Sequence, residues 1–246
     1  MNSSQLLVMD DAQALFVRAA EEIAHLAGEA ICTHGEFTLC LTGGVTPAST
    51  YELLATRFHL SVDWKEVQFF WGDERCVPPE DPASNFGMAN RTLLSRVALR
   101  PEQIHRMRGE DEPKHAAYQY ERELQSFFHL EHEDEFPSFN LMLLGIGENA
   151  HIASLFPHQP ALHEKARLAL SVEVEASPSR RISLTVPVIN HAARVMFLVS
   201  GEQKAAAVKN ILQGPDDPDQ YPAQLVKPLD GEIVWLMDKA AASQLK

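Results

Sequence analysis

Positive charge is in short supply in this sequence, with 21 Lys and Arg against 34 Asp and Glu in 246 residues and a formal net charge of −13. So acidic a surface has no general attraction for a phosphate backbone or an anionic bilayer. This excludes nucleic acid and membrane as the main partner, and any anionic ligand has to find a local cluster of cations. Cysteine is scarce as well. Cys32, Cys40 and Cys76 are an odd number without a Cys-x-x-Cys pair, and they read as reduced thiols of a cytoplasmic protein. No stretch approaches the roughly 20 apolar residues of a membrane span. The opening run MNSSQLLVMDDAQ lacks a positive region and meets Asp10 and Asp11 before a signal-peptide core can form. Zinc-like spacing is missing too: His151, His158 and His163 fit no ligand pattern, and His129 with His132 lies in an acidic loop, so no metal is expected. With only 12 Gly and 15 Pro, and 45% of residues hydrophobic, the chain is of the ordinary globular kind. No repeat or linker divides it, and one domain over residues 1–246 is expected.

What is present is an alternation of helical and strand-like segments. Residues 12–34 have helical periodicity between an Asp10 or Asp11 cap and a Gly35 stop. Residues 37–41 form a short strand, followed by Thr42-Gly43-Gly44-Val45-Thr46-Pro47 and a helix over 48–58 with Thr46 as N-cap and Pro47 as its first residue. Residues 67–71 are a second strand, ending in Gly72-Asp73-Glu74-Arg75, read as a charged loop. Ser84 caps a further helix, another covers about 113–128, and residues 131–135 read as a solvated acidic loop. A third strong strand, 139–144, feeds Gly145-Ile146-Gly147-Glu148-Asn149-Ala150-His151. Strands over 168–174, 182–184, 195–199 and 233–237, a helix capped by Ser200 and a short terminal helix from Lys239 complete the pattern. It predicts an α/β fold, a Rossmann-like open, mostly parallel sheet with helices on both faces.

In such sheets the ligand crevice lies beyond the carboxyl ends of the strands, and three of those ends carry unusual residues. Gly43 and Gly44 before a helix start, with Thr42 and Thr46, would cradle a phosphate ester, or simply make a tight turn. The loop fits neither a Walker A nor a dinucleotide fingerprint, so no nucleotide cofactor is expected. Asp73, Glu74 and Arg75 would aim a guanidinium at a phosphate or carboxylate, or stand solvated. Cys76 beside them is a weak nucleophile candidate. His151 is the candidate acid or base, since imidazole titrates near neutral pH. Ser154 lacks the elbow motif of a serine nucleophile.

The segments Thr42-Gly43-Gly44-Val45-Thr46-Pro47, then residues 71–78 with Ser84-Asn85, then residues 144–157, resemble the ordered motifs of the 6-phosphogluconolactonases. Residues 181–185 and 200–205 match the later blocks. The resemblance, over about 36–240, implies the glucosamine-6-phosphate deaminase-like fold and cofactor-free hydrolysis of a sugar-phosphate lactone in the oxidative pentose phosphate pathway. In this reading His151 is the general base, with Asp73 as polar organiser. Thr42, Gly43, Gly44, Thr46, Arg75, Arg181 and Lys204 serve the phosphate or the oxyanion. Where the family has Asp-Gly before the histidine this chain has Asn149-Ala150, so Asn149 supports His151 without a charge. A glucosamine-6-phosphate deaminase or isomerase, or a non-catalytic sugar-phosphate sensor, are the alternatives.

Overall fold

The computed structural model describes residues 4–132 and 134–246. Residues 1–3 of the opening run and Glu133 of the acidic stretch lie outside the described residues. The main sheet has six strands: β1 (Ser4–Met9), β2 (Phe37–Leu41), β3 (Val67–Trp71), and β5 (Leu141–Leu144), β8 (Arg194–Val199) and β9 (Glu232–Asp238). Their order is β1-β9-β8-β5-β2-β3 and every pairing is parallel. β2 and β5 are buried along their whole length, as expected of strands covered on both faces. A second sheet is antiparallel, β4 (Asp73–Arg75), β7 (Arg180–Leu184) and β6 (Ala169–Glu173), in the order β4-β7-β6.

Helices cover both faces of the main sheet. On one side α1 (Ala12–His34) and α2 (Val45–Thr56) bury Leu15, Ile23, Tyr51 and Leu54 against Leu39, Leu41 and Phe69, with α3 (Asn85–Thr92) beside them. On the other, α4 (Pro113–Phe127), α5 (Val186–Asn190) and α6 (Ala205–Gln213) bury Tyr120, Leu124, Ile189 and Val208 against Met142, Leu144 and Phe197. The caps of α1 fall where the sequence places them. Asp11 accepts from the Ala14 amide, and Gly35 closes the helix at φ 85°, a conformation that favours glycine. Ser84 caps α3 through the Gly87 amide.

Two tyrosines tie this frame to the carboxyl ends of the strands. The Tyr51 hydroxyl accepts from the Thr42 amide and donates to the Thr42 carbonyl, both at 3.0 Å. Tyr120 does the same for Trp71, at 3.0 and 3.1 Å. Thr42 follows the last residue of β2 and Trp71 ends β3, the sheet's outer strand, so each hydroxyl satisfies a donor and an acceptor that the ladder leaves open.

Several elements differ from the sequence reading. β1 was not expected. Asp73-Glu74-Arg75 is a strand and not a loop: the chain leaves the main sheet at Gly72, whose carbonyl accepts from the Leu184 amide, and pairs with β7. Helix α2 starts at Val45 with Gly44 as its cap, so Thr46 is not the N-cap and Pro47 is not the first residue; Gly44 at φ 110° turns the chain into the helix earlier. Ser200 caps no helix, because its hydroxyl donates to Asp238, and a short 3-10 turn, Glu202–Lys204, precedes α6. Residues after Lys239 form turns, held by Asp238 accepting from the Ala241 amide.

Candidate active site

Strand order reverses between β2 and β5. From β2 the chain moves outward to β3, and from β5 it moves the other way through β8 to β9. At such a switch point the connections diverge and leave a crevice beyond the strand ends. A crevice of about 230 Å³ occupies that place, lined by Thr42, Gly43 and Gly44 after β2, by Gly145, Ile146, Gly147, His151 and Ala153 after β5, by Asp73, Arg75 and Arg181 from the second sheet, and by Asn85 and Lys204.

Strand alternation sorts the charged triplet. Asp73 and Arg75 face the crevice, while Glu74 points the other way and is buried at the start of α3, accepting from the amides of Asn85 and Phe86 and from the Ser84 hydroxyl. Glu74 is therefore an anchor for α3 and not a solvated charge. Asp73 is buried and accepts from Asn85 Nδ2 at 3.0 Å and from Ser154 Oγ at 2.6 Å. The Ser154 hydroxyl is wholly buried and spent on Asp73, and burial pushes the Cys76 thiol up to about 11, so neither is placed as a nucleophile. Asn85 also explains Gly43: a Cβ there would lie 2.0 Å from Asn85 Oδ1, so only glycine lets the loop approach.

Arg75 and Arg181 stand directly opposite each other in the β4–β7 pair, an arrangement that destabilises a sheet unless an anion joins it. Arg75 donates to the Ala83 carbonyl and Arg181 to the Pro178 carbonyl, and among the described residues neither they nor Lys204 forms an ion pair. Burial and Arg75 hold the Arg181 pKa down, and burial does the same to Lys204. A larger cavity of about 510 Å³ lies between residues 104–111 and α4. Its arginines are matched, Arg106 with Glu110 and Arg108 with Asp111, and His105 Nδ1 lies 2.6 Å from Glu123 Oε1. In the crevice, by contrast, three cations stand together without an ion pair among the described residues.

His151 sits half-buried on the loop after β5. Its Nδ1 is 2.6 Å from Asn149 Oδ1, and an amide oxygen can only accept, so Nδ1 carries the proton and Nε2 presents a lone pair. Burial, with repulsion from Arg181, Lys204 and Arg75, pushes its pKa down to about 4, which keeps the ring neutral at physiological pH. The loop is bent by two alanines at positive φ, Ala150 at 64° and Ala153 at 46°. Asn149 itself is exposed and touches the crevice through His151 alone, while Thr46 lies in the first turn of α2, outside the lining. Asn85, Gly145, Ile146, Gly147 and Ala153 also line the crevice, beyond the residues expected from the sequence. The Ser84-Asn85 cap at an α3 start was the available signal for the first.

No helix among the described residues is long and apolar enough to cross a membrane. The family of glucosamine-6-phosphate isomerases and 6-phosphogluconolactonases matches residues 10–235. A 6-phosphogluconolactonase of Synechocystis is 39% identical over 98% of this chain and 98% of its own. The structure of a 6-phosphogluconolactonase from Thermotoga maritima is 27% identical and superposes with a TM-score of 0.83 over 96% of this chain and all of that one. A monomeric glucosamine-6-phosphate deaminase, 22% identical over 98% of this chain and 99% of its own, shares the fold with a TM-score of 0.81. On the extent of these matches, the chain belongs to the glucosamine-6-phosphate isomerase/6-phosphogluconolactonase family.

Proposed function

We propose that the protein hydrolyses 6-phospho-D-glucono-1,5-lactone to 6-phospho-D-gluconate, in the cytoplasm and within the oxidative pentose phosphate pathway, using water activated by His151. As a carboxylic ester hydrolase it shares its class with relatives 33–39% identical over most of their length. The observation that carries the mechanism is a histidine whose Nδ1 is held by Asn149, lining one crevice with three cations that form no ion pair among the described residues. A δ-lactone is already an electrophilic ester, so an activated water and charge stabilisation suffice. His151 Nε2 takes the proton as water oxygen bonds to the carbonyl carbon, and returns it to the ring oxygen as the C–O bond breaks. Arg75, Arg181, Lys204 and the amides around Gly43 and Gly44 hold the phosphate and the developing oxyanion. Asp73, fixed by Asn85 and Ser154, is the polar organiser of the crevice wall.

Purified protein should open the phosphorylated lactone well above the spontaneous rate; ammonia release from glucosamine 6-phosphate instead would favour the deaminase reading. Arg181→Ala should weaken binding of the phosphorylated lactone by about 10- to 100-fold, the worth of a charge-assisted hydrogen bond, and spare the unphosphorylated one. Equal losses on both would make Arg181 structural.

Asn149→Asp places an anion 2.6 Å from His151 Nδ1. An opposite charge at that range favours imidazolium, so the acid limb of the pH–rate profile should rise by about 1 to 3 units and kcat should increase. A profile identical to that of the parent would uncouple position 149 from the base.

A further inference from the structure

Phe156 is not part of the crevice lining, yet it touches two residues that are. Its ring stacks on the His151 imidazole with centroids 4.0 Å apart and planes at 13°, and the Arg181 guanidinium carbon lies 5.7 Å from the centroid of the same ring. The backbone is bent to bring this contact about. The Ala150 amide donates to the Gly147 carbonyl at 3.0 Å and the Leu155 amide to the Ile152 carbonyl at 2.8 Å, two tight turns that fold residues 151 and 156 onto each other. Each turn holds an alanine in the left-handed region, a conformation disfavoured for any residue with a Cβ. A loop that tolerates this twice within four residues is shaped for the contact it makes.

Resting on the reading of His151 as the base, we infer that Phe156 is its positioning residue, and that the ring face stabilises the imidazolium formed when His151 takes a proton from water. The face of an aromatic ring carries negative potential, so it attracts a cation stacked on it more strongly than a neutral imidazole. Apart from the Asn149 oxygen that accepts from Nδ1, the groups around His151 oppose the charge or are engaged elsewhere: Arg181 from β7, Arg75 from β4 and Lys204 before α6 all repel it, Asp73 is engaged by Asn85 and Ser154, and Glu148 interacts with Lys204. Phe156 thus favours the charged state arising in the transition state over the neutral one in the resting enzyme. Such an interaction raises kcat and leaves KM nearly alone.

The test places phenylalanines of increasing fluorination at position 156, which drain the ring face at nearly constant shape, beside Phe156→Leu, Phe156→Tyr and His151→Ala. Across the fluorinated series kcat should fall stepwise by about 3- to 30-fold in all, the range of a desolvated cation–π contact. KM should stay within about twofold and the acid limb of kcat should move to lower pH. Phe156→Leu should reproduce the loss, and Phe156→Tyr, which keeps the face, should restore kcat. A flat fluorination series with a collapsed His151→Ala enzyme overturns this inference alone. A His151→Ala enzyme that keeps its kcat brings down the base reading and this inference with it.

Discussion

His151→Ala should lower kcat by about 10² to 10⁴, the usual contribution of a general base, in a protein that melts within a few degrees of its parent. The stability change is expected to be small because the ring is half-buried and its hydrogen bond runs to an exposed asparagine. The parent's pH dependence sharpens the expectation. In the free enzyme burial and three cations hold the imidazole down to about 4, so the acid limb of kcat/KM, which reports the free enzyme, should lie near that pH. A bound phosphate dianion offsets the charge of Arg75, Arg181 and Lys204, which relieves the repulsion and raises the pKa. The acid limb of kcat, which reports the complex, should therefore lie at higher pH than that of kcat/KM. Activity is lost as pH falls through either limb, because the protonated ring cannot accept. Steady-state profiles corrected for spontaneous lactone opening measure both, and near-full kcat in the alanine variant would remove His151 from the mechanism.

Gly147→Ala should be nearly as damaging, about 10² in kcat, through displacement and not through chemistry. A Cβ at this position would stand 2.0 Å from His151 Nδ1, 2.2 Å from its Cε1 and 2.7 Å from Asn149 Oδ1, distances that real contacts never reach. The ring has little room to yield, since it is bonded to Asn149 on one edge and stacked on Phe156 across its face. A misplacement of about 1 Å at a reacting group is enough for a loss of this size. KM for the phosphorylated lactone should change little, because the cations and the Gly43-Gly44 turn belong to other elements. An unchanged kcat would show that the ring can work from a shifted position.

The reading from sequence reached furthest where local signals and burial agree. β2, β3 and β5 are short apolar runs followed by glycine, and the parallel sheet and its crevice follow from them. Ser84 and Asp11 announce helix starts because a cap depends on residues only three positions apart. What escaped depends on distant partners. β1 is a largely exposed edge strand whose pairing with β9 joins residues more than 200 positions apart, and its four apolar residues are too short a run to announce a strand without that partner. Asp73-Glu74-Arg75 reads as a loop because charged residues are rare in strands, and only the β7 register makes it one. Ser200 carries a cap signature, but its hydroxyl is claimed by Asp238, 38 residues away. Among the residues lining the crevice, His151 and Arg75 are legible by residue type and placement at strand ends, whereas Arg181 and Lys204 enter only through the family resemblance. The closeness of Gly147 and Phe156 to His151 is not legible, since each is defined by what its side chain, or the lack of one, leaves beside the ring.

The twin tyrosine hydroxyls at Thr42 and Trp71 have a consequence for amide hydrogen exchange. Tyr51 belongs to the apolar layer on one side of the sheet and Tyr120 to the layer on the other, and both are buried. The amides they accept from cannot reach water through local fraying of the crevice, because freeing either one requires a helix to lift from its layer. Thr42 and Trp71 should thus exchange as slowly as the central strands, while the neighbouring amides of Gly43 and Gly44 exchange quickly. A phenylalanine at position 51 or 120 would uncouple one rim of the crevice from its layer, visible as accelerated exchange at that one strand end with the other unchanged.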